Sequence, residues 1–396
     1  MSGTRRRGIE SAIELGSSLA VLTSRGARVV AEKQRSLAAA AFAGWDLRRF
    51  GAHRAVAVGF SGWGQGVGGV RNHVEAIRKF SRHDVRVIPG NLAMRVTSRR
   101  EYSEALWKNG SDVLKSFGVL HSHVDPQFIR ACSEARSTAT KWIHTYHTLY
   151  FEDGTGPMPE WSREINRTLL GVARHADLKI CVSPWLQELL SDEHGIETTL
   201  IPNGVDVELC DAASATRFID KTGLKDFVVY IGSLDLVKNA AMIVDLAATA
   251  PELVFVMVGK GLDHSSIRAR FGSSLGRNVV GIGPVGHREA LDAIAASRCL
   301  VMTSRIEGFP TALLEAMAMG KPVVAPDNGG CRDAIGGGNA GFLFESGSLE
   351  AAREALKTAV EGPAYNAAAS QRIRELFDWR VVAPQLDDAY SRQTAD

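Results

Sequence analysis

Glu307-Gly308-Phe309-Pro310-Thr311-Ala312-Leu313-Leu314-Glu315-Ala316-Met317-Ala318-Met319-Gly320-Lys321-Pro322-Val323-Val324 carries more structural information than any other stretch of the chain. Pro310 suits the first helical position, where a missing N–H costs nothing, and Gly320 suits the left-handed stop at the other end. The apolar run after Lys321-Pro322 then reads as a buried strand. Glu307 therefore falls on the loop before a helix, and Glu315 about one and a half turns inside it. The unpaired N–H groups of Gly308 to Leu313 point out of that end, where the helix dipole favours an anion. A helix mouth that also carries two carboxylates suits a ligand with both phosphates and hydroxyls, such as a sugar nucleotide.

Outward from this stretch, the second half of the chain alternates strands and helices. Strands are predicted at Phe227–Gly232, Leu253–Val258, Val279–Gly281, Cys299–Thr303 and Pro322–Ala325, with helices at Ala240–Ala250, Arg288–Ala296 and Pro310–Met319. The first half has the same rhythm. Its strands are Ala55–Phe60, Val85–Ile88, Phe117–His121, Trp142–Thr145, Leu178–Val182 and Thr199–Ile201, and a helix is predicted over Val70–Phe80. Such alternation predicts an α/β chain with two parallel, doubly wound sheets. Pro202-Asn203-Gly204-Val205-Asp206 is turn chemistry closing the first unit. The expected division is 1–53 as a basic, largely helical extension, 54–208 and 209–377 as the two α/β domains, and 378–396 as a last helix returning to the first domain. Parallel sheets bind ligands beyond the carboxyl ends of their strands, and the glycine loops, Lys238 and Glu307 all follow strand ends.

Composition narrows the class. Hydrophobic content of 45% and charge of 23% over 396 residues describe a globular chain with room for two cores. The five cysteines form no CxxC pair, which argues for a reducing, cytoplasmic setting and against a disulfide framework or zinc knot. No apolar run approaches the ~18 residues of a membrane span, and Glu10 and Glu14 after Arg5-Arg6-Arg7 rule out an export signal core. Residues 1–54 carry ten Lys/Arg against four Asp/Glu, although the whole chain stands at only +2. This segment reads either as a solvated helix packed on its own domain or as a basic amphipathic lead-in for peripheral contact with an anionic membrane. Basic residues are not interleaved with aromatics expected to be exposed, so nucleic acid is not an expected partner.

Each candidate residue has a plainer alternative. Lys238 follows a strand in Gly232-Ser233-Leu234-Asp235-Leu236-Val237-Lys238-Asn239; it is either a solvated charge or the cation that neutralises a departing diphosphate. His121 and His123, on one face of a strand end, are either core residues or substrate contacts; no further cluster in the sequence completes a metal site around them, so no metal is expected. His144 and His147 recur at the next strand end and are candidates for the same cleft. The Gly66-Val67-Gly68-Gly69-Val70 loop is a tight turn or a point of close approach to substrate. It is not a dinucleotide fingerprint, since no acidic residue ends a second strand some 20 residues on.

Together these residues resemble the retaining GT-B glycosyltransferases of family 4, over roughly residues 54–390. The most specific element is the E-x7-E motif at Glu307 and Glu315, continued by Ala316-Met317-Ala318 and Gly320-Lys321-Pro322. Ile201-Pro202-Asn203-Gly204-Val205-Asp206 is similar to the family's domain junction, and Gly68-Gly69 with His121-Ser122-His123 to its acceptor side. The resemblance implies two Rossmann-like domains facing a cleft, with the donor held mostly by the second. Glu307 would lie by the sugar hydroxyls, with the N–H groups of Gly308, Phe309, Pro310's neighbours and Thr311. Glu315 would hold the ribose, Lys238 the diphosphate, and His123 would help place substrate. No metal or cofactor is implied; the co-substrate would be a UDP- or GDP-sugar and the acceptor a hydroxyl of a glycan, small molecule or lipid.

One residue departs from the pattern. Where the family has an arginine beside the diphosphate lysine, this chain has Ser233 in Gly232-Ser233-Leu234. Loss of one transition-state contact commonly costs about 3–4 kcal/mol, unless a cation such as Lys260 or Arg305 compensates. Ser233 therefore keeps open a non-catalytic sugar-nucleotide-binding subunit; a GT-B sugar-nucleotide epimerase is the further alternative, less supported because its chemistry needs no acceptor-side histidine pair.

Overall fold

The computed structural model describes residues 55–59, 69–88, 114–151, 158–337 and 340–394. Two six-stranded sheets follow one another along the chain. The first contains β1 (Val56–Gly59), β2 (Val85–Ile88), β3 (Val119–Ser122), β4 (Lys141–Tyr146), β5 (Leu178–Cys181) and β6 (Thr199–Leu200), in the order β2-β1-β3-β4-β5-β6. In the second, β7 (Phe227–Ser233), β8 (Val254–Lys260), β9 (Val279–Gly283), β10 (Cys299–Val301), β11 (Val323–Pro326) and β12 (Phe342–Phe344) run in the order β12-β11-β10-β7-β8-β9. Every pairing is parallel. That is why the central strands read as unbroken apolar runs: Val56–Gly59 and Phe227–Tyr230 are buried on both faces.

Five helices position the site: α1 (Gly69–Phe80), α2 (Ala240–Thr249), α3 (His287–Ala296), α4 (Thr311–Ala318) and α5 (Trp379–Thr394). Predicted and observed boundaries differ at informative places. Pro310 is the residue before α4 and not its first helical residue, with extended φ −76° and ψ 113°. Gly320 does take the left-handed conformation, φ +66°. Strand β12 went unpredicted because its three residues are too few to show a period.

The units are joined by two chain crossings that hold each other. Val205 N–H donates to the Phe377 carbonyl at 2.8 Å, and Trp379 N–H donates to the Val205 carbonyl at 3.0 Å. A side chain on Gly204 would strike the Trp379 ring at 2.9 Å, so the indole lies flat against bare backbone. Beyond the crossing, α5 packs on the first sheet, where Trp379, Val382, Leu386 and Tyr390 share a core with Val56, Ile77, Val119 and Ile143. Among the described residues no helix is long and apolar enough to cross a membrane.

Trp379 is 2% exposed and also meets the His73 and Phe80 rings, so its truncation leaves a cavity at the joint of both units. Trp379→Ala is expected to lose about 3–5 kcal/mol of stability, read from urea unfolding. A loss under about 1 kcal/mol would mean that the crossing is held by something else.

Candidate active site

The second unit supplies a cation and two carboxylates. After β7 the chain turns through Ser233–Asn239. Asp235 organises that turn, accepting from the Ser233 hydroxyl and, at 2.9 Å, from the Lys238 N–H. The Tyr230 hydroxyl donates to the Lys238 carbonyl at 2.9 Å, and Asn239 adopts the left-handed conformation just before α2. Lys238 Nζ is thereby aimed at Glu307 Oε1, 2.6 Å away. The Lys238 side chain is 35% exposed and that of Glu307 only 10%. Burial works against the Lys238 charge, but the Glu307 carboxylate and its hydrogen bond outweigh it and hold the ammonium above its ordinary range.

Glu315, inside α4, accepts from or shares a proton with His287 Nε2 at 2.6 Å. His287 opens α3 and was missed in the sequence, where a single histidine after Gly286 gives no signal. Burial lowers its affinity for a proton, yet the hydrogen bond and charge of Glu315, with Asp206 beyond, raise its pKa overall. Both line a cavity of about 430 Å³ between the units, along with Arg71, Lys79, Asp206 and Thr311; Lys238 and Glu307 do not line it.

Gly308, Phe309 and Thr311 form the loop and first residue of α4. Gly308 lies on the first unit so closely that an added Cβ would fall 1.6 Å from the His147 carbonyl oxygen. The Phe309 carbonyl accepts from Asn203 Nδ2 at 2.8 Å, which ties the helix mouth to the chain crossing. Gly69 begins α1, and a side chain there would stand 3.4 Å from Thr311 Oγ1, so the starts of the two helices face each other. Gly68 and the glycine loop before it, like residues 1–53, lie outside the described residues. Ser233 is the register partner of Lys260 across β7 and β8, and Lys260 is exposed at that sheet edge. The Arg305 N–H donates to the Val237 carbonyl at 2.8 Å, so both candidate cations flank the Lys238 turn.

On the first unit, His121 and His123 are both fully buried. His121 uses both nitrogens inside the protein, Nδ1 with the Tyr390 hydroxyl at 2.7 Å and Nε2 with Thr145 Oγ1 at 2.8 Å. It joins the sheet to α5. His123 Nδ1 meets His147 Nε2 at 2.9 Å, while its Nε2 has no partner. Two histidines distant in sequence join this group, His73 from α1 and His147 after β4. His123, though not its strand neighbour His121, thus forms a trio with His73 and His147 that sequence order hides, because helix and strand ends converge here. Burial keeps all of them neutral: it lowers the pKa of His121 to about 3 and that of His147 to about 4, and it lowers those of His73, His123 and His144 as well, with neighbouring histidines adding to the effect.

Residues 215–376 match the family model described as glycosyl transferases group 1, and residues 73–209 match that of glycosyltransferase family 4. The second unit thus resembles the group 1 glycosyl transferases and the first unit glycosyltransferase family 4, each over less than half of the chain. Among curated relatives, glycogen synthase of Mycobacterium tuberculosis is 26% identical over 242 residues, 58% of this chain and 57% of that protein. The chain thus spans less than two thirds of that relative's length. The phosphatidyl-myo-inositol mannosyltransferase of Mycobacterium leprae is 27% identical over 289 residues, 69% of this chain and 73% of that one. Among solved structures, Anabaena HepE in complex with UDP-glucose superposes with a TM-score of 0.69 at 17% identity, covering 85% of this chain and 99% of that one. This likeness establishes the fold, GT-B with two Rossmann-like domains facing a cleft.

The His287–Glu315 bridge makes stability depend on pH in a definite direction. Because folding raises the His287 pKa above 6.5, the bridge contributes fully below that pH and is lost as pH rises through the folded value. The thermal midpoint of the native protein is expected to exceed that of His287→Ala most near pH 6, with the gap closing on the alkaline side. A gap that widens with pH would contradict the charged bridge.

Proposed function

We propose that the chain is a retaining, metal-independent glycosyltransferase that moves a hexose unit from a nucleotide-diphosphate sugar, a UDP- or GDP-sugar, to a hydroxyl acceptor. The observation that supports this best is the meeting of two helix starts, at Gly69 and Thr311, close to the Lys238–Glu307 pair. Helix N-termini and an ammonium together offer a diphosphate fixed positive potential that needs no reorganisation when charge develops. A diphosphate oxygen competes with Glu307 for the Lys238 ammonium, and sugar hydroxyls compete with Lys238 for the Glu307 carboxylate. Glu315 and His287, on the cavity wall, suit the ribose hydroxyls.

In this reading the bond from the anomeric carbon to phosphate oxygen breaks, and the bond to the acceptor oxygen forms on the same face. The acceptor's proton passes to the departing phosphate oxygen. Lys238 and the helix starts stabilise the leaving diphosphate, and His123 helps place substrate through its unpartnered Nε2. Hinging about the crossing at Val205 and Asp378 would admit substrate and then exclude water. The likeness to a phosphatidyl-myo-inositol mannosyltransferase, with the basic residues 1–53, favours a lipid-linked acceptor met at the cytoplasmic membrane face.

Ser233 supports the rival reading, a non-catalytic sugar-nucleotide-binding subunit, since its hydroxyl is directed to Asp235 and brings no charge to the diphosphate. Purified protein incubated with labelled nucleotide sugars and an acceptor panel separates the readings. Release of nucleoside diphosphate is expected, with Lys238→Ala and Glu307→Gln each lowering turnover at least ~100-fold. Donor binding without turnover would favour the binding subunit, and altered sugar without release an epimerase. The retaining course is checked by the product's anomeric configuration in NMR; inversion would refute front-face attack.

A further inference from the structure

His73, His123 and His147 come from three separate segments and meet inside the protein. One ring nitrogen from each lies within 4.8 Å of the others. Their ring centroids form a nearly equilateral triangle with sides of 5.3, 4.9 and 5.1 Å. A tetrahedral zinc ion at about 2.0–2.1 Å from three imidazole nitrogens sets the ring centroids about 5.2 Å apart. The backbone therefore already holds the rings at the separation a metal requires, and turning the rings would bring the nitrogens inward. Two buried ring nitrogens in the trio, His73 Nδ1 and His123 Nε2, have no hydrogen-bond partner, which is a costly arrangement for purely structural histidines.

We infer that His73, His123 and His147 bind a first-row transition-metal ion of the zinc class. The ligating form of imidazole is the neutral one, and all three rings are buried. Asn203 stands beside His73, and its amide oxygen is itself unpartnered, so it can accept the other ring N–H and orient that ligand. The cavity between the units reaches His73 and offers an entry path. Three protein ligands leave a fourth position open.

Binding does not rest on the transferase reading, but its consequence does. An ion here takes up the single free lone pair of His123 and fixes its ring, so that His123 no longer helps place substrate, and it acts as an inhibitor of transfer and not as its cofactor.

The test uses the full chain, treated with a chelator and titrated with Co2+ alone. One equivalent is expected to give the visible absorption of tetrahedral, nitrogen-ligated cobalt, displaced by Zn2+. His73→Ala and His147→Ala should each weaken Co2+ binding at least tenfold, while His264→Ala, at an exposed helix start, should leave it unchanged. Absence of the band in the native protein overturns the inference without recourse to any variant. So does a band that persists at full strength in both variants, with circular dichroism confirming their fold. Zn2+ at the level that saturates the cobalt site should lower donor turnover at least tenfold, reversibly with chelator; undiminished turnover would overturn the inhibitory role. A protein without transferase activity would still give the cobalt result.

Discussion

The loop before α4 rests on the end of β4 with no space between the two backbones. Gly308 meets the His147 carbonyl where no side chain could fit, and on the other side the Glu307 and Gly308 carbonyls lie against Gly330. This contact fixes the mouth of α4, which carries Glu307, against the segment that carries His147. Cation, carboxylates and histidines come from opposite units, and they converge only because that seam is closed. Asn203 reinforces it by reaching from the chain crossing to the Phe309 carbonyl.

Around this seam the site divides by chemistry. The second unit holds the charged groups in two pairs, Lys238 with Glu307 and His287 with Glu315, each at 2.6 Å and each only partly open to solvent. The first unit contributes neutral, buried imidazoles. Charged groups near a cleft suit a ligand whose own charges and hydroxyls replace those of the protein, whereas buried neutral rings suit a partner that coordinates or accepts a directed hydrogen bond. Under the proposed function, Ser233 in place of an arginine leaves one fixed cation fewer at the diphosphate. Lys260 stands in register with Ser233, and Arg305 is anchored at the Lys238 turn, so the loss falls where other positive charge is close.

The two parallel sheets and the E-x7-E loop were legible because their signals are local. An apolar run four or five residues long, a glycine after a helix and a carboxylate before one all lie within a single element. The sequence places Pro310 one residue too deep, because its extended ψ of 113° keeps it outside the helix, which begins at Thr311. His287 and His73 were invisible for a different reason. A lone histidine on a helix carries no information until its neighbours in space are known, and those neighbours, Glu315 and His147, are 28 and 74 positions away in the sequence. His121 was legible as a strand-end histidine, but its engagement by Tyr390 depends on α5 returning across the first sheet.

By itself the sequence determined the succession of strands and helices, the loop that carries Glu307 and the turn that carries Lys238, because backbone propensity and burial pattern act over a few residues. Tertiary structure alone decided which side chains meet: Lys238 with Glu307, His287 with Glu315, and three histidines in one triangle. Each of those meetings lies within one unit, where crossover pairing brings together strand and helix ends whose residues are 24 to 74 positions apart, and contacts of that kind leave no periodic trace along the chain.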